Sequence, residues 1–212
     1  MKVAILGSGD VAKALAGGFM KHGHSVMLGT RDLGKLADWR RTHGGAGVGS
    51  FSDAAAFGDI AVLAVKGGAA IEALRAARIH NLDGKIVIDA TNPIADAPPT
   101  SGVLAYFTSL EESLMERLQA EFPGIRFVKA FNSVGSAHMV DPKFAGGRPT
   151  MFICGNDAAA KSTVVEIVDR FGWDCEDMGG VQAARAIEPL CMLWCIRGFL
   201  RGQWAHAFKL LK

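Results

Sequence analysis

The sequence has no unbroken apolar run near the ~18 residues that a membrane span requires. Its most apolar late stretch, 189–196, carries Trp and Cys and stops at Arg197, as a buried helix would. The opening apolar run, residues 3–6, reaches Gly7 too soon for a secretory signal. Cysteine is scarce: Cys154, Cys175, Cys191 and Cys195 form no CxxC pair, and the six histidines show no ligand spacing around them. A disulfide framework and a zinc site are therefore not expected. Buried free thiols and a cytoplasmic location are. Charge of one sign is also lacking, with 23 Lys and Arg against 21 Asp and Glu, so no basic stripe predicts nucleic acid as a partner. There is no G-x-S-x-G elbow, no HExxH and no P-loop lysine, which removes three common hydrolytic chemistries.

What is present is a chain of 212 residues, 50% hydrophobic and 21% charged, long enough to bury roughly 70% of its unfolded surface without staples. Short apolar runs without alternation mark strands at 3–6, 25–28, 47–50, 60–65, 85–89 and 126–130, then at 150–154 and 173–177. Between them, helical spacing covers 10–22, 33–41, 69–77, 111–121 and 158–171, and the closing segment 181–212 also reads as helix. Strands that are apolar on both sides and alternate with helices predict a parallel sheet covered on both faces. The expected architecture is a doubly wound α/β sheet of the Rossmann type, one domain over 1–212, with a helical C-terminal extension. The Pro98-Pro99 segment, 95–101, is the expected mobile loop.

Gly7-Ser8-Gly9-Asp10-Val11-Ala12 follows the first strand and opens the first helix, the context that the G-x-G-x-x-[G/A] fingerprint demands. Gly7 permits the turn, Gly9 lets a pyrophosphate approach, and Ala12 lets the helix lie close to the sheet. Free N–H groups at the helix start, around Asp10 and Val11, would meet the phosphates. NAD enzymes usually carry an acidic residue at the end of the second strand; here the run is Gly29-Thr30-Arg31-Asp32. Thr30 and Arg31 suit a 2′-phosphate, which favours NADP(H). Asp32 either binds ribose hydroxyls or caps the next helix, and Lys35 either adds charge to the site or lies on a solvated face.

Ligands of such sheets lie beyond the carboxyl ends of the strands. Those ends supply Val65 and Lys66, then Thr91 and Asn92, then Ala130 followed by Asn132, Ser133 and Val134. Lys66 is a phosphate ligand or a loop lysine; Thr91 and Asn92 line the nicotinamide region or merely shape a turn. The polar loop after Ala130 stands where a hydride acceptor would stack, so Asn132, Ser133 and Val134 are the candidate catalytic residues.

With Lys2-Val3-Ala4-Ile5-Leu6-Gly7-Ser8-Gly9, Gly29-Thr30-Arg31 and 60–65, the chain resembles the NADPH:coenzyme F-420 oxidoreductase family. Lys129-Ala130-Phe131-Asn132-Ser133 is also similar to the cytosolic reductase domain of the six-transmembrane metalloreductases, and Gly179-Gly180-Val181 with Ala184-Arg185-Ala186-Ile187-Glu188 matches the family's last helix. The resemblance implies NADPH across the strand ends, its 2′-phosphate on Thr30 and Arg31, and a flavin-like or deazaflavin acceptor near the loop after strand six. The family's F-420-contacting histidine and isoleucine fall on Asn132 and Val134, and its Pro-Trp pair after strand four falls on Lys66-Gly67.

Hydride transfer to coenzyme F-420 or a flavin needs ring stacking rather than a protein acid. An imine or carbonyl acceptor needs a proton donor, for which His138, Ser133 and Lys129 are the candidates. A non-catalytic NADP(H) sensor is the third reading. The apolar residues of 181–212 exceed one face, which suggests a homodimer, or else a helix buried within its own chain.

Overall fold

The strand runs found in the sequence are short β-branched and alanine-rich stretches that alternate between two cores. In β1 (Lys2–Leu6), Val3 and Ile5 enter one core while Ala4 and Leu6 enter the other. The computed structural model, which describes residues 1–212, assembles six parallel strands in the order β3-β2-β1-β4-β5-β6. These are β1, β2 (Ser25–Gly29), β3 (Gly47–Gly49), β4 (Ile60–Leu63), β5 (Ile86–Asp89) and β6 (Arg126–Lys129). The reversal between β1 and β4 is the switch point at which doubly wound sheets bind ligands. Here β1 pairs with β2 from Lys2↔Ser25 to Leu6↔Gly29 and with β4 from Val3↔Ile60 to Leu6↔Leu63.

One face of the sheet is covered by α1 (Asp10–Lys21) and, later in the chain, α6 (Ala158–Arg170). The other is covered by α3 (Phe51–Phe57), α4 (Ala70–Ala76), α5 (Leu114–Glu121) and the start of α7 (Ala184–Arg201). The remaining helix, α2 (Ala37–Thr42), follows a 3-10 turn at Leu33–Leu36, so the expected helix over 33–41 exists in two short pieces. A separate parallel pair, β7 (Thr150–Ile153) and β8 (Asp174–Asp177), joins the main sheet through Lys129↔Cys154.

Two expectations need correction. No helix was expected over 51–57, yet α3 forms there, started by a capping box in which Ser50 and Asp53 satisfy each other's backbone N–H groups. The tail is also not helical throughout. α7 stops at Arg201 because Gly202 takes the left-handed conformation at φ 65°, which ends helices. Residues 202–212 then fold back over their own chain: a side chain at Gly198 would lie 2.2 Å from the Trp204 ring, Trp194 Nε1 donates to His206 O at 2.8 Å, and Thr150 N donates to Phe208 O at 2.9 Å. Much of the tail's surplus apolar surface is thereby covered within the chain. The 95–101 loop is closed at its base, where Ala95 N donates to Ala105 O at 2.8 Å. No helix is long and apolar enough to cross a membrane. Cys154, Cys191 and Cys195 are buried, whereas Cys175 is only half-buried.

Candidate functional site

The two fingerprint glycines answer to different causes. Gly7 has φ +151°, and a Cβ there would lie 2.2 Å from the carbonyl oxygen of Ala64. The close approach of the first turn to the end of β4 therefore explains this glycine within the protein. Gly9 has an ordinary φ of −82° and its missing Cβ would meet nothing within 4 Å. Nothing in the polypeptide requires glycine there; a ligand lying on the turn would. Gly9 also begins α1 without a side-chain cap, so the N–H groups of the first turn face outward with the positive end of the helix dipole.

These groups open on a cleft of about 370 Å³. Of the residues expected in the site, Gly7, Ser8, Gly9, Thr30, Arg31, Lys35, Val65 and Lys66 all line it. Asp10 and Val11 lie in the first turn of α1 behind the glycine turn, with Val11 packed against the core. Arg31, Lys35 and Lys66 take part in none of the ion pairs of the chain. Glu72, on the same wall, is neutralised by Arg75 at 2.8 Å. Three uncommitted cations around one cleft, with one of its acids already paired, make a site for an anion.

The end of β2 discriminates further. A Cβ at Gly29 would lie 2.9 Å from Phe51 Cα and 3.0 Å from Ala54 Cβ. An acidic side chain in the position that serves NAD has no room, because α3 passes directly over it. Asp32 acts as a cap: its Oδ1 accepts from Gly34 N at 2.9 Å. The Thr30 hydroxyl accepts from Asp32 N at 3.1 Å and donates to Asp32 O at 3.1 Å, which folds Arg31 outward at the apex of the turn.

The other expected residues lie apart from this cleft, around the ends of β5 and β6. Thr91 is buried; its N–H and hydroxyl donate to Asp89 Oδ1 at 2.9 and 2.7 Å. Asn92 Nδ2 donates to Asn132 O at 2.8 Å, and Asn132 Nδ2 donates to Asn92 Oδ1 at 3.1 Å and to Ile187 O at 2.9 Å. A carbonyl can only accept, so the Ile187 contact fixes which end of the Asn132 amide is nitrogen. Its Oδ1 is left buried with no partner. Ala130, Ser133 and Val134 are buried beside it. Phe131 holds φ +62°, a left-handed conformation that costs energy for a bulky residue and gathers at functional sites.

Beneath both loops lies a fully buried charge cluster. Lys129 Nζ is 2.7 Å from Asp89 Oδ2, at an angle poor for a hydrogen bond, and 2.9 Å from Glu188 Oε1. It donates a hydrogen bond to Thr91 O at 2.9 Å. Burial alone would lower the Lys129 pKa, but the two carboxylates outweigh it and hold the ammonium charged. Glu188 in turn accepts from Leu114 N and Met115 N, the first N–H groups of α5, at 2.9 and 3.0 Å.

The sequence did not reveal Phe51 and Glu72 as cleft residues, or Asp89 and Glu188 as the partners of Lys129. The Ser50-x-x-Asp53 spacing was the one local sign of α3 and hence of Phe51. The partners of Lys129 come from segments far apart in the chain and carry no local pattern.

Residues 2–93 match the family described as NADP oxidoreductase, coenzyme F-420-dependent. A solved structure of a candidate F-420-dependent NADP-reductase from Arthrobacter sp. FB24 is 34% identical and superposes with a TM-score of 0.94, covering 100% of both chains. The chain belongs to the F-420-dependent NADP oxidoreductase family. The F-420-dependent NADP reductase of Methanothermobacter thermautotrophicus is 29% identical over 91% of this chain and 87% of its own. Metalloreductase STEAP3 of Rattus norvegicus is 31% identical over 89% of this chain but only 36% of its own length. The chain thus spans about a third of the metalloreductases it matches. The family match ends at Pro93, so it covers the glycine turn, Arg31 and Lys66 but stops before the β6 loop.

Proposed function

We propose that the chain binds NADPH along the switch point and passes a hydride between it and a flavin-like or deazaflavin acceptor. The observation that carries this reading is the cleft at the end of β1, β2 and β4, where Gly9 leaves space that no protein atom fills and Arg31, Lys35 and Lys66 stand unpaired. The blocked position at Gly29 supports NADP(H) over NAD. When bound, NADPH supplies the hydride. Gly7, Ser8 and the α1 N-terminus hold the pyrophosphate, and Thr30, Arg31, Lys35 and Lys66 surround the 2′-phosphate. Val65, Thr91, Asn92 and Ala130 shape the path toward the acceptor, and Asn132, Ser133 and Val134 position the reacting ring.

The state of Lys129 removes one of the three candidate proton donors that an imine or carbonyl acceptor would need, leaving His138 and Ser133. Its side chain is fully buried, ion-paired with Asp89 and Glu188 and hydrogen-bonded to the Thr91 carbonyl, so this lysine does not reach a substrate to deliver a proton. Coenzyme F-420 or FMN needs no such donor. A cytoplasmic location and a homodimer through the exposed α7 residues Leu193, Phe199 and Leu200 belong to the same proposal.

Anaerobic stopped-flow oxidation of NADPH, with oxidised coenzyme F-420 and FMN in parallel and NADH as the control donor, tests this function. Rapid oxidation by either acceptor, with NADH much slower, is expected. NADPH binding without oxidation by either would overturn the flavin-type acceptor and leave the imine reductase and the sensor.

A further inference from the structure

The mechanism above gives Lys129 no contact with substrate, yet the fold commits two carboxylates and a strand-end carbonyl to burying it. The cluster joins pieces that are distant in the chain. Asp89 ends β5, and its other oxygen accepts both the N–H and the hydroxyl of Thr91. Lys129 ends β6 and donates to the Thr91 carbonyl. Glu188 lies in α7 and caps α5. The Tyr106 hydroxyl donates to the Glu188 carbonyl at 2.8 Å, and the preceding carbonyl, of Ile187, accepts from Asn132. The peptide of Thr91 is thus gripped from both sides, its N–H by Asp89 and its C=O by Lys129. Asn92 and Asn132, which follow on the two strands, are locked to each other.

We infer that Lys129 is a positioning residue that sets the loops at the ends of β5 and β6, and so orients the nicotinamide half of the site without affecting the 2′-phosphate half. The inference rests on the NADPH reading above. An unpaired buried carboxylate is costly; without the ammonium, Asp89 and Glu188 would face each other uncompensated and the Thr91 carbonyl would lose its donor. The β5 and β6 loops would shift to relieve this. The Arg31 and Lys35 side of the anion cleft should not, because it follows β2 and shares no partner with the cluster.

The test compares Lys129→Met with the unaltered chain in two binding titrations, one with 2′,5′-ADP and one with NADPH followed by nicotinamide fluorescence, alongside NADPH oxidation by FMN or coenzyme F-420. The 2′,5′-ADP affinity should stay within about twofold, as for sites without shared partners. The advantage of NADPH over 2′,5′-ADP should disappear, the fluorescence of bound NADPH should change, and oxidation should fall about 100-fold, the scale of a misplaced reactant. Parallel loss of both affinities, or no change in either, would overturn the positioning role. If Lys129→Met does not fold, Asp89→Asn replaces it in the same comparison: it keeps an oxygen for Thr91 but turns an amide NH2 toward the Lys129 ammonium in place of a carboxylate oxygen, and the same split is expected. An unaltered chain that binds neither 2′,5′-ADP nor NADPH would overturn the NADPH reading itself. Normal binding to the unaltered chain, with parallel losses in the variants, would overturn the positioning role alone.

Discussion

Replacing Gly7 and Gly9 separately by alanine should produce opposite phenotypes, although the two glycines are two residues apart in one motif. At Gly7 the new methyl would meet the Ala64 carbonyl oxygen at 2.2 Å from a backbone at φ +151°. Backbone must move to admit it, at a cost of about 1–3 kcal/mol or more, which lowers the melting temperature by roughly 2–12 °C in a chain of this size. At Gly9 the methyl would meet no protein atom and φ is already −82°. The loss of a favourable helix-starting residue and the gain from a stiffer unfolded chain nearly cancel, leaving the ligand-free protein within about 1 kcal/mol of its parent. The same methyl stands where a pyrophosphate would lie, and a forced displacement of about 1–3 kcal/mol weakens NADPH roughly 5- to 150-fold. Thermal melts of the ligand-free variants and NADPH titrations separate the two. Parent-like NADPH affinity in Gly9→Ala, or a ligand-free melt as low as that of Gly7→Ala, would refute the assignment of Gly9 to the ligand.

Arg31→Ala should weaken NADPH by about 1.5–3 kcal/mol, or roughly 10- to 150-fold, through the loss of charge-assisted bonds. The exposed site and the neighbouring Lys35 and Lys66 favour the lower end, and NADH should be nearly unaffected; equal losses in fluorescence titrations would remove the 2′-phosphate from this position. Gly29→Asp, the obvious change for acquiring NAD, should instead destabilise the chain by about 1–3 kcal/mol without raising NADH affinity, because α3 leaves no space for the side chain; tight NADH binding by a normally melting variant would contradict this. The hydrogen bonds from Arg185 hold the Glu116 carboxyl at about 2, below its usual value of 4.5. A depressed carboxyl stabilises above its unfolded pKa and loses that contribution as pH falls through the folded one. The melting difference between the parent and Arg185→Ala should therefore be full above about pH 4.5 and shrink toward pH 2, and a difference that is flat with pH would exclude this pair.

The order of strands and helices was legible because each signal is local. A strand covered on both faces must be apolar at every position, as β4 and β5 are apart from the final Asp89, and a turn that admits phosphate must combine Gly7, Gly9 and Ala12 within six residues. The same locality made Arg31, Lys35 and Lys66 readable as candidates, since each follows a strand end. Even so, short elements escaped. α3 is seven residues started by a Ser50–Asp53 box, too brief for a periodicity to declare itself. The tail read as helix to its end because its apolar residues exceed one face, and only the slot over Gly198 shows that Trp204 returns to cover α7.

Whether a residue faced a ligand, a cap or a charge was decided by partners far along the chain. Asp32 is a cap by its own neighbourhood, but Gly29 excludes an acid only because α3 lies above it. Lys129 looked like a possible proton donor near the end of a strand; its partners, 40 residues earlier at Asp89 and 59 later at Glu188, make it a fully committed buried cation. Sequence alone determined the layered α/β sheet and the nucleotide turn, because backbone propensity and burial act within a few residues. Tertiary structure decided which of the polar groups at the strand ends remain free, because hydrogen bonds and charges are allotted by what packs against them.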